Sequence, residues 1–164
     1  MAWGKAGTTT LSSASDTLDV TGFTASETMH TLQHGILNSS SLKLTTRGNL
    51  NGDTGNNYAY RTKDNGVTEE YGGSISYWRI GAGLNPIGGD NFIVSYMVNI
   101  SGEEKLMLSW INNSNASGAG NAPQRGETAC KWVNTSDQVT DLVKANVGNG
   151  DYNTDSNLTV LGTD

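Results

Sequence analysis

Residues 92–111 constrain the fold more than any other stretch of the chain. Phe92, Val94, Tyr96, Val98 and Ile100 fall at every second position, the period of a β-strand. Ser101-Gly102-Glu103-Glu104 interrupts the run with turn chemistry, and Leu106, Leu108 and Trp110 resume the alternation at once. Two alternating runs around a short Gly-containing turn predict a β-hairpin. The intervening Ile93, Ser95, Met97 and Asn99 are mixed in character. The expectation is therefore that Val94, Tyr96, Val98, Leu106, Leu108 and Trp110 point into the core. At about 1.5–3 kcal/mol for each fully buried side chain, that face must be covered, because a lone hairpin is marginal in water.

The rest of the chain supplies the cover. Alternating runs at 16–23, 28–37, 42–47, 58–63, 67–71, 74–80, 127–133, 139–145 and 158–161 are separated by Asn-, Gly- and Ser-rich turns, with Asn65-Gly66 a hairpin signal. Residues 137–143 also fit one short helical turn. Gly numbers 21 and only 35% of residues are hydrophobic, a mixture poor in helix formers and rich in turn formers. Turn signals every eight to twelve residues predict an all-β, single-domain antiparallel β-sandwich of jelly-roll-like type, residues 16–164. Residues 1–15 are small and polar, with Trp3 and Leu11 as their anchors, and read as an N-terminal arm that needs a docking surface. Long loops are expected at 48–57, 81–89 and 112–126.

Charge and cysteine usage narrow the function. The formal net charge is −6 and basic residues are scattered, so no electrostatic footprint for nucleic acid is present. No apolar run reaches transmembrane length, and the first residues do not resemble a signal peptide, which predicts synthesis in a cytoplasm. Cys130 lies on a strand face with Thr128 and Trp132 and reads as a small buried hydrophobe.

Catalytic and metal motifs are weak. His30 and His34 are four apart, but the surrounding pattern is that of a strand, and the Glu of a zinc-protease motif is missing. Asp151, Asn153 and Asp155 place oxygen ligands, two of them carboxylates, at alternate positions of an Asn-rich loop, and Asn49, Asn51 and Asp53 do so more weakly. Neither has the Gly and bidentate Glu of an EF-hand, which leaves calcium as a low-grade candidate and no cofactor as the expectation. Glu103 and Glu104 are neighbours on a turn, whereas glycosidase carboxylates face each other across a cleft. With no nucleophile elbow, phosphate loop or Cys-x-x-Cys, the chain is not expected to be an enzyme. Tyr58, Tyr60, Tyr71, Tyr77 and Trp78 cluster in sequence and read as packing or a subunit contact, with a sugar-stacking platform as the alternative.

Several motifs occur together: Met1-Ala-Trp-Gly-Lys-Ala-Gly-Thr-Thr-Thr-Leu, Asp16-Thr-Leu-Asp-Val-Thr-Gly, Asn99-Ile-Ser-Gly-Glu-Glu-Lys-Leu, Gly118-Ala-Gly-Asn-Ala-Pro-Gln-Arg-Gly-Glu127, Lys131-Trp-Val-Asn-Thr-Ser136, Gly148-Asn-Gly-Asp-Tyr and Val160-Leu-Gly. This set resembles a family of small virion structural proteins of marine and environmental tailed phages. The likeness covers both ends and the second half of the chain, and residues 37–88 least. It implies a virion protein without catalytic residues: a homo-oligomeric capsid decoration or cement protein, or a tail or fibre component. The expected partners are further copies of the chain, with a trimer favoured, and other virion proteins such as the major capsid protein. The expected interface residues are Trp3, Leu11, Tyr58, Tyr60 and Trp78. The alternative is a lectin-like β-sandwich that recognises host-surface glycans.

Overall fold

The structure, a computed structural model, describes residues 2–37, 46–66, 69–80, 90–114, 117–147 and 150–164. The expected turn at 38–41 and crossing at 81–89 lie outside them, as do parts of the runs at 42–47 and 67–71. The described elements are all strands: β1 (Gly4–Thr10), β2 (Thr17–Val20), β3 (Thr28–Ile36), β4 (Thr46–Leu50), β5 (Tyr58–Asp64), β6 (Glu70–Ile75), β7 (Trp78–Arg79), β8 (Asp90–Val98), β9 (Lys105–Asn113), β10 (Gln124–Trp132), β11 (Leu142–Asn146) and β12 (Asn157–Thr163). They form the expected sandwich, divided unequally. One antiparallel sheet runs β1-β12-β3-β8-β9-β10-β5-β6, and the other runs β2-β11-β4-β7.

Local chemistry sets the connections. Asn65 and Gly66, which follow β5, both have positive φ, 49° and 76°, a conformation that Asn and Gly adopt most readily. Gly102, at φ 85°, turns the chain between β8 and β9, which pair from Asn91 opposite Asn113 to Val98 opposite Leu106. The first residues do not hang free. β1 lies along β12 as the edge strand of the large sheet, with Gly4 opposite Gly162 and Thr10 opposite Asn157. A Cβ on Gly7 would fall 2.4 Å from Val20 Cγ1, so the absence of a side chain lets β1 approach β2.

The core lies between the sheets, and it inverts the face expected of the central hairpin. Ile93, Met97, Met107 and Ile111 point inward, together with Asn91, Ser95, Asn99, Lys105, Ser109 and Asn113. Phe92, Tyr96, Val98, Leu106, Leu108 and Trp110 point outward and are 40–55% exposed, and Val94 is half-buried on the same side. The polar groups can go inside because many of them meet partners there. Ser109 Oγ–H donates to Ser95 Oγ at 3.0 Å, and Thr62 and Thr128 share a hydroxyl bond of 2.8 Å. Lys105 Nζ donates to the carbonyls of Glu103 and Asn134 at 2.6 and 3.2 Å. Asn99 closes one end of the sandwich, accepting from Val139 N–H at 2.7 Å and donating to Ser26 O at 3.0 Å. A buried polar group with its hydrogen bonds made costs little; unmade, it costs about 1–3 kcal/mol.

The apolar mass comes from elsewhere: Leu18, Leu50, Tyr58, Trp78, Ile80, Trp132, Val139, Leu142, Tyr152, Leu158 and Val160. Among them stands Lys144, wholly enclosed, whose amine donates to Thr31 Oγ1 at 2.9 Å and lies 5.4 Å from the Trp78 ring.

Candidate functional site

The outer face of the large sheet is the most unusual surface among the described residues. Antiparallel register sets side chains in rows across it. One row runs Lys5, Leu161, His30, Tyr96, Leu108, Ala129, Arg61, Tyr71, each opposite the next. The adjoining row runs Leu32, Val94, Trp110, Glu127, Lys63. Side chains on these rows stand close enough to touch. His30 stacks on Tyr96 with ring centroids 4.2 Å apart, Tyr96 meets Trp110 edge-on at 5.9 Å, and Trp3 meets His30 edge-on at 5.7 Å. The aromatics are thus a connected band at the centre of the face.

Relief divides that face in two. Over β8 and β9 the large side chains make a ridge. Over β10 and β5 short Ala129 and Ala59 alternate with long Glu127, Lys131, Arg61 and Lys63, so the surface there is broken into hollows. Four hollows of 240, 280, 470 and 430 Å³ lie on this face; residues of β10 and β5 that include Arg61, Lys63, Arg125, Glu127 and Lys131 line the first three, and the fourth lies against Tyr96, Val98, Leu106 and Leu108 of the ridge. Two ion pairs lie among these hollows. Lys131 Nζ binds Glu104 at 2.8 Å, and Arg61 pairs with Glu69 while lying 5.6 Å from the Tyr71 ring centre.

Two histidines border or enter the ridge. His30 lies at its centre, and its Nε2 is buried without a hydrogen-bond partner. Burial lowers its pKa, and Lys144, behind β3, lowers it further. His34 lies at the edge of the ridge, 3.7 Å from the Asp90 carboxylate.

The other anticipated residues fall in separate places. Trp3 is 45% exposed and joins the aromatic band, while Leu11 packs against the core. Tyr58 and Trp78, expected at an interface, are wholly buried between the sheets, so they have no surface left for a neighbour. Tyr60 is half-buried under Arg79, whose guanidinium donates to its phenol oxygen at 2.6 Å. Arg47 likewise covers the Tyr77 ring at 3.9 Å. Arginines thus occupy the faces that a sugar platform at Tyr60 and Tyr77 would need. Cys130 is buried, with its thiol pushed up to about 12 by burial.

The Asn-rich loop before β5 is held by its own bonds. Asp53 accepts from Trp132 Nε1–H at 2.6 Å, Gly55 N–H at 2.7 Å and Asn57 Nδ2–H at 2.9 Å. Burial raises its pKa, but these three bonds outweigh burial and hold it below the ordinary carboxylate range. Asp151 and Asp155 are exposed, and among the described residues no three His, Cys, Asp or Glu side chains gather into a metal-binding group. Chelator is expected to leave the melting temperature unchanged. A fall of several degrees that Asp151→Ala abolishes would assign a calcium ion to that loop.

Sequence reasoning found every residue of the ridge and placed it on the wrong side of the sheet. It missed Ala129 and Ala59, which are conspicuous only through their neighbours' size.

No protein-family model matches the chain, and no curated protein matches it either. Among solved structures, the CBM2 module of the evolved Dit of Lactobacillus casei BL23 phage J-1 is 13% identical over 100% of this chain and 81% of its own, with a TM-score of 0.24. A high-affinity mannose-binding lectin of Ralstonia solanacearum is 12% identical over 79% of this chain and 97% of its own, with a TM-score of 0.14. At these scores neither likeness bears on function.

Proposed function

We propose that the protein is a structural component of a tailed-phage virion that works by assembly and carries out no catalysis. It is a homo-oligomeric capsid decoration or cement subunit, or part of a tail or fibre, made in the host cytoplasm and resident in the particle. Its partners are copies of itself, three being the expected number, and a virion protein such as the major capsid protein.

The observation that carries the reading is the apolar ridge. Six large hydrophobic side chains, Phe92, Tyr96, Val98, Leu106, Leu108 and Trp110, stand 40–55% exposed on one sheet face. A contiguous apolar patch of this kind marks an interaction surface, whereas single exposed hydrophobes do not. The virion assignment adds the sequence resemblance, which includes the β8–β9 turn and most of β10.

Light scattering on the wild type should give the mass of a small closed oligomer. Leu108→Lys sets a charge in the middle of the ridge without touching the core, and should give a folded monomer that no longer binds particles. A wild type that is still monomeric at about 1 mM would overturn the reading.

A lectin-like reading rests on a different observation. Phe92 and Trp110 wall a hollow of 240 Å³ that Lys63, Arg125 and Glu127 also line, an aromatic surface with hydrogen-bonding neighbours. Saturable quenching of indole fluorescence by a glycan, lost in Trp110→Ala, would favour it. Val98, Leu106 and Leu108 offer a sugar no hydrogen bond and speak for protein contact.

A further inference from the structure

We propose that the hollow of 240 Å³ beside the Asn65-Gly66 turn is a binding site for an acidic sugar, a pyranose that carries a carboxylate. This inference rests on the lectin-like reading of that hollow and adds the class of glycan it takes. It is independent of what meets the rest of the ridge.

Register builds the site. Phe92 stands opposite Asn112, and Asn112 opposite Arg125. In the adjoining row Val94, Trp110, Glu127 and Lys63 stand each opposite the next. These side chains point away from the core, and the hollow lies among them. Neighbouring strands are about 4.8 Å apart, so Trp110 and Lys63 rise from strands about 10 Å from each other, with Glu127 between them. Aromatic carbon therefore borders the hollow on one side and charged groups on the other.

One wall is fixed in advance. The Arg125 backbone N–H donates to Asn65 Oδ1 at 2.9 Å, and its carbonyl accepts from Asn65 N–H at 2.8 Å. Gly66, beside it, adds no side chain to the lining. A wall that is already in place loses little freedom when a ligand arrives.

The lining fits a sugar. A pyranose has a carbon–hydrogen face and a rim of hydroxyls, and so needs an apolar surface beside a few polar groups. Phe92 and Trp110 supply the surface, and Asn112 and Glu127 supply an amide and a carboxylate for hydroxyls. The charges then decide the class. Arg61, Arg79 and Lys131 each hold a glutamate, whereas no ion pair of the described residues includes Lys63, Arg125 or Glu127. The hollow thus has two cations against one anion, a positive excess on a chain whose net charge is −6. A neutral sugar leaves that excess unanswered. A carboxylate answers it, and the guanidinium fork of Arg125 matches both of its oxygens.

Indole fluorescence tests the proposal. The wild type is titrated with glucuronic, galacturonic and N-acetylneuraminic acids, each beside its uncharged methyl ester, to about 100 mM. At least one acid should quench saturably and bind about tenfold or more tightly than its ester. Arg125→Gln should remove that preference and leave ester binding as it was. Trp110→Ala should abolish the binding of both, and Lys5→Gln, on β1, should change nothing. Circular dichroism first shows each variant to be folded like the wild type. If Arg125→Gln does not fold, Lys63→Gln takes its place, and an acid preference that it leaves unchanged overturns the proposal. Acids and esters that bind alike, or a preference that survives Arg125→Gln, would remove the acidic class and leave the lectin-like reading standing. No saturable quenching by any of these sugars, or quenching that persists in Trp110→Ala, removes both.

Discussion

Lys144→Met is expected to stabilise the folded chain at pH 7 by about 2–4 kcal/mol, as replacing a buried charge by a packed hydrophobe commonly does. The lysine is wholly enclosed, its described hydrogen bond goes to a neutral hydroxyl, and no ion pair of the described residues includes it. Burial pushes its amine from an ordinary 10.5 down to about 7. The unfolded chain therefore binds this proton more tightly than the folded one, by on the order of 4–5 kcal/mol. Below pH 7 both states hold the proton and the folded state bears the whole penalty. As pH rises through 7 the folded chain releases it first, so stability rises with pH, by about 2–3 kcal/mol between pH 7 and 9. Above pH 9 the buried thiol of Cys130 opposes the trend, because its pKa is raised and the unfolded thiol ionises first. Denaturant unfolding of the two proteins at pH 6, 7, 8 and 9 measures this. The methionine variant should lose most of the slope. A variant less stable than the wild type at pH 7, with the slope intact, would mean that water or an anion reaches Lys144.

The second large effect separates two tryptophans that look alike in sequence. Trp132→Ala should cost about 3–5 kcal/mol, and Trp110→Ala about 1 kcal/mol or less, when both are unfolded as monomers. Trp132 is 1% exposed, stacks near Tyr58 with ring centroids 6.3 Å apart, and holds the Asp53 carboxylate. Its loss leaves both a cavity and an acid short of a donor. Trp132→Phe keeps most of the volume, removes the donor, and should cost about 1–3 kcal/mol on its own. Trp110 is 45% exposed on the outer face, so its truncation leaves no hole in the core. It should instead weaken association. Equal unfolding costs for the two alanine variants would put the ridge back inside.

The strands themselves were legible. Period-2 alternation placed the hairpin, and Asn65-Gly66 marked a turn whose two positive φ values few other residue pairs tolerate. What alternation cannot say is which set of alternate residues faces inward. Choosing the more hydrophobic set assumes that water lies on the other side. Here that choice sent Val94, Tyr96, Val98, Leu106, Leu108 and Trp110 inward, and the structure sends them out. Ser95 made its set mixed in character, and only the register sets it opposite Ser109, fourteen residues away, with a hydrogen bond between them. Lys144 alternates with Leu142 and Asn146 on the inner face of β11, a place that its charge does not announce. Asp53 and Trp132 are 79 residues apart in the chain, and no local pattern couples them.

The pairing of β1 with β12 brings the first and last strands together, Gly4 against Gly162. Anything joined to the front of the chain and anything joined to its back therefore leaves from one corner, beside Trp3. A label at either end reports on the same neighbourhood, and a bulky fusion at either end crowds the same edge. A short peptide could bridge the two ends and let the chain be opened elsewhere, for instance in the turn between β8 and β9, with every strand kept in its place.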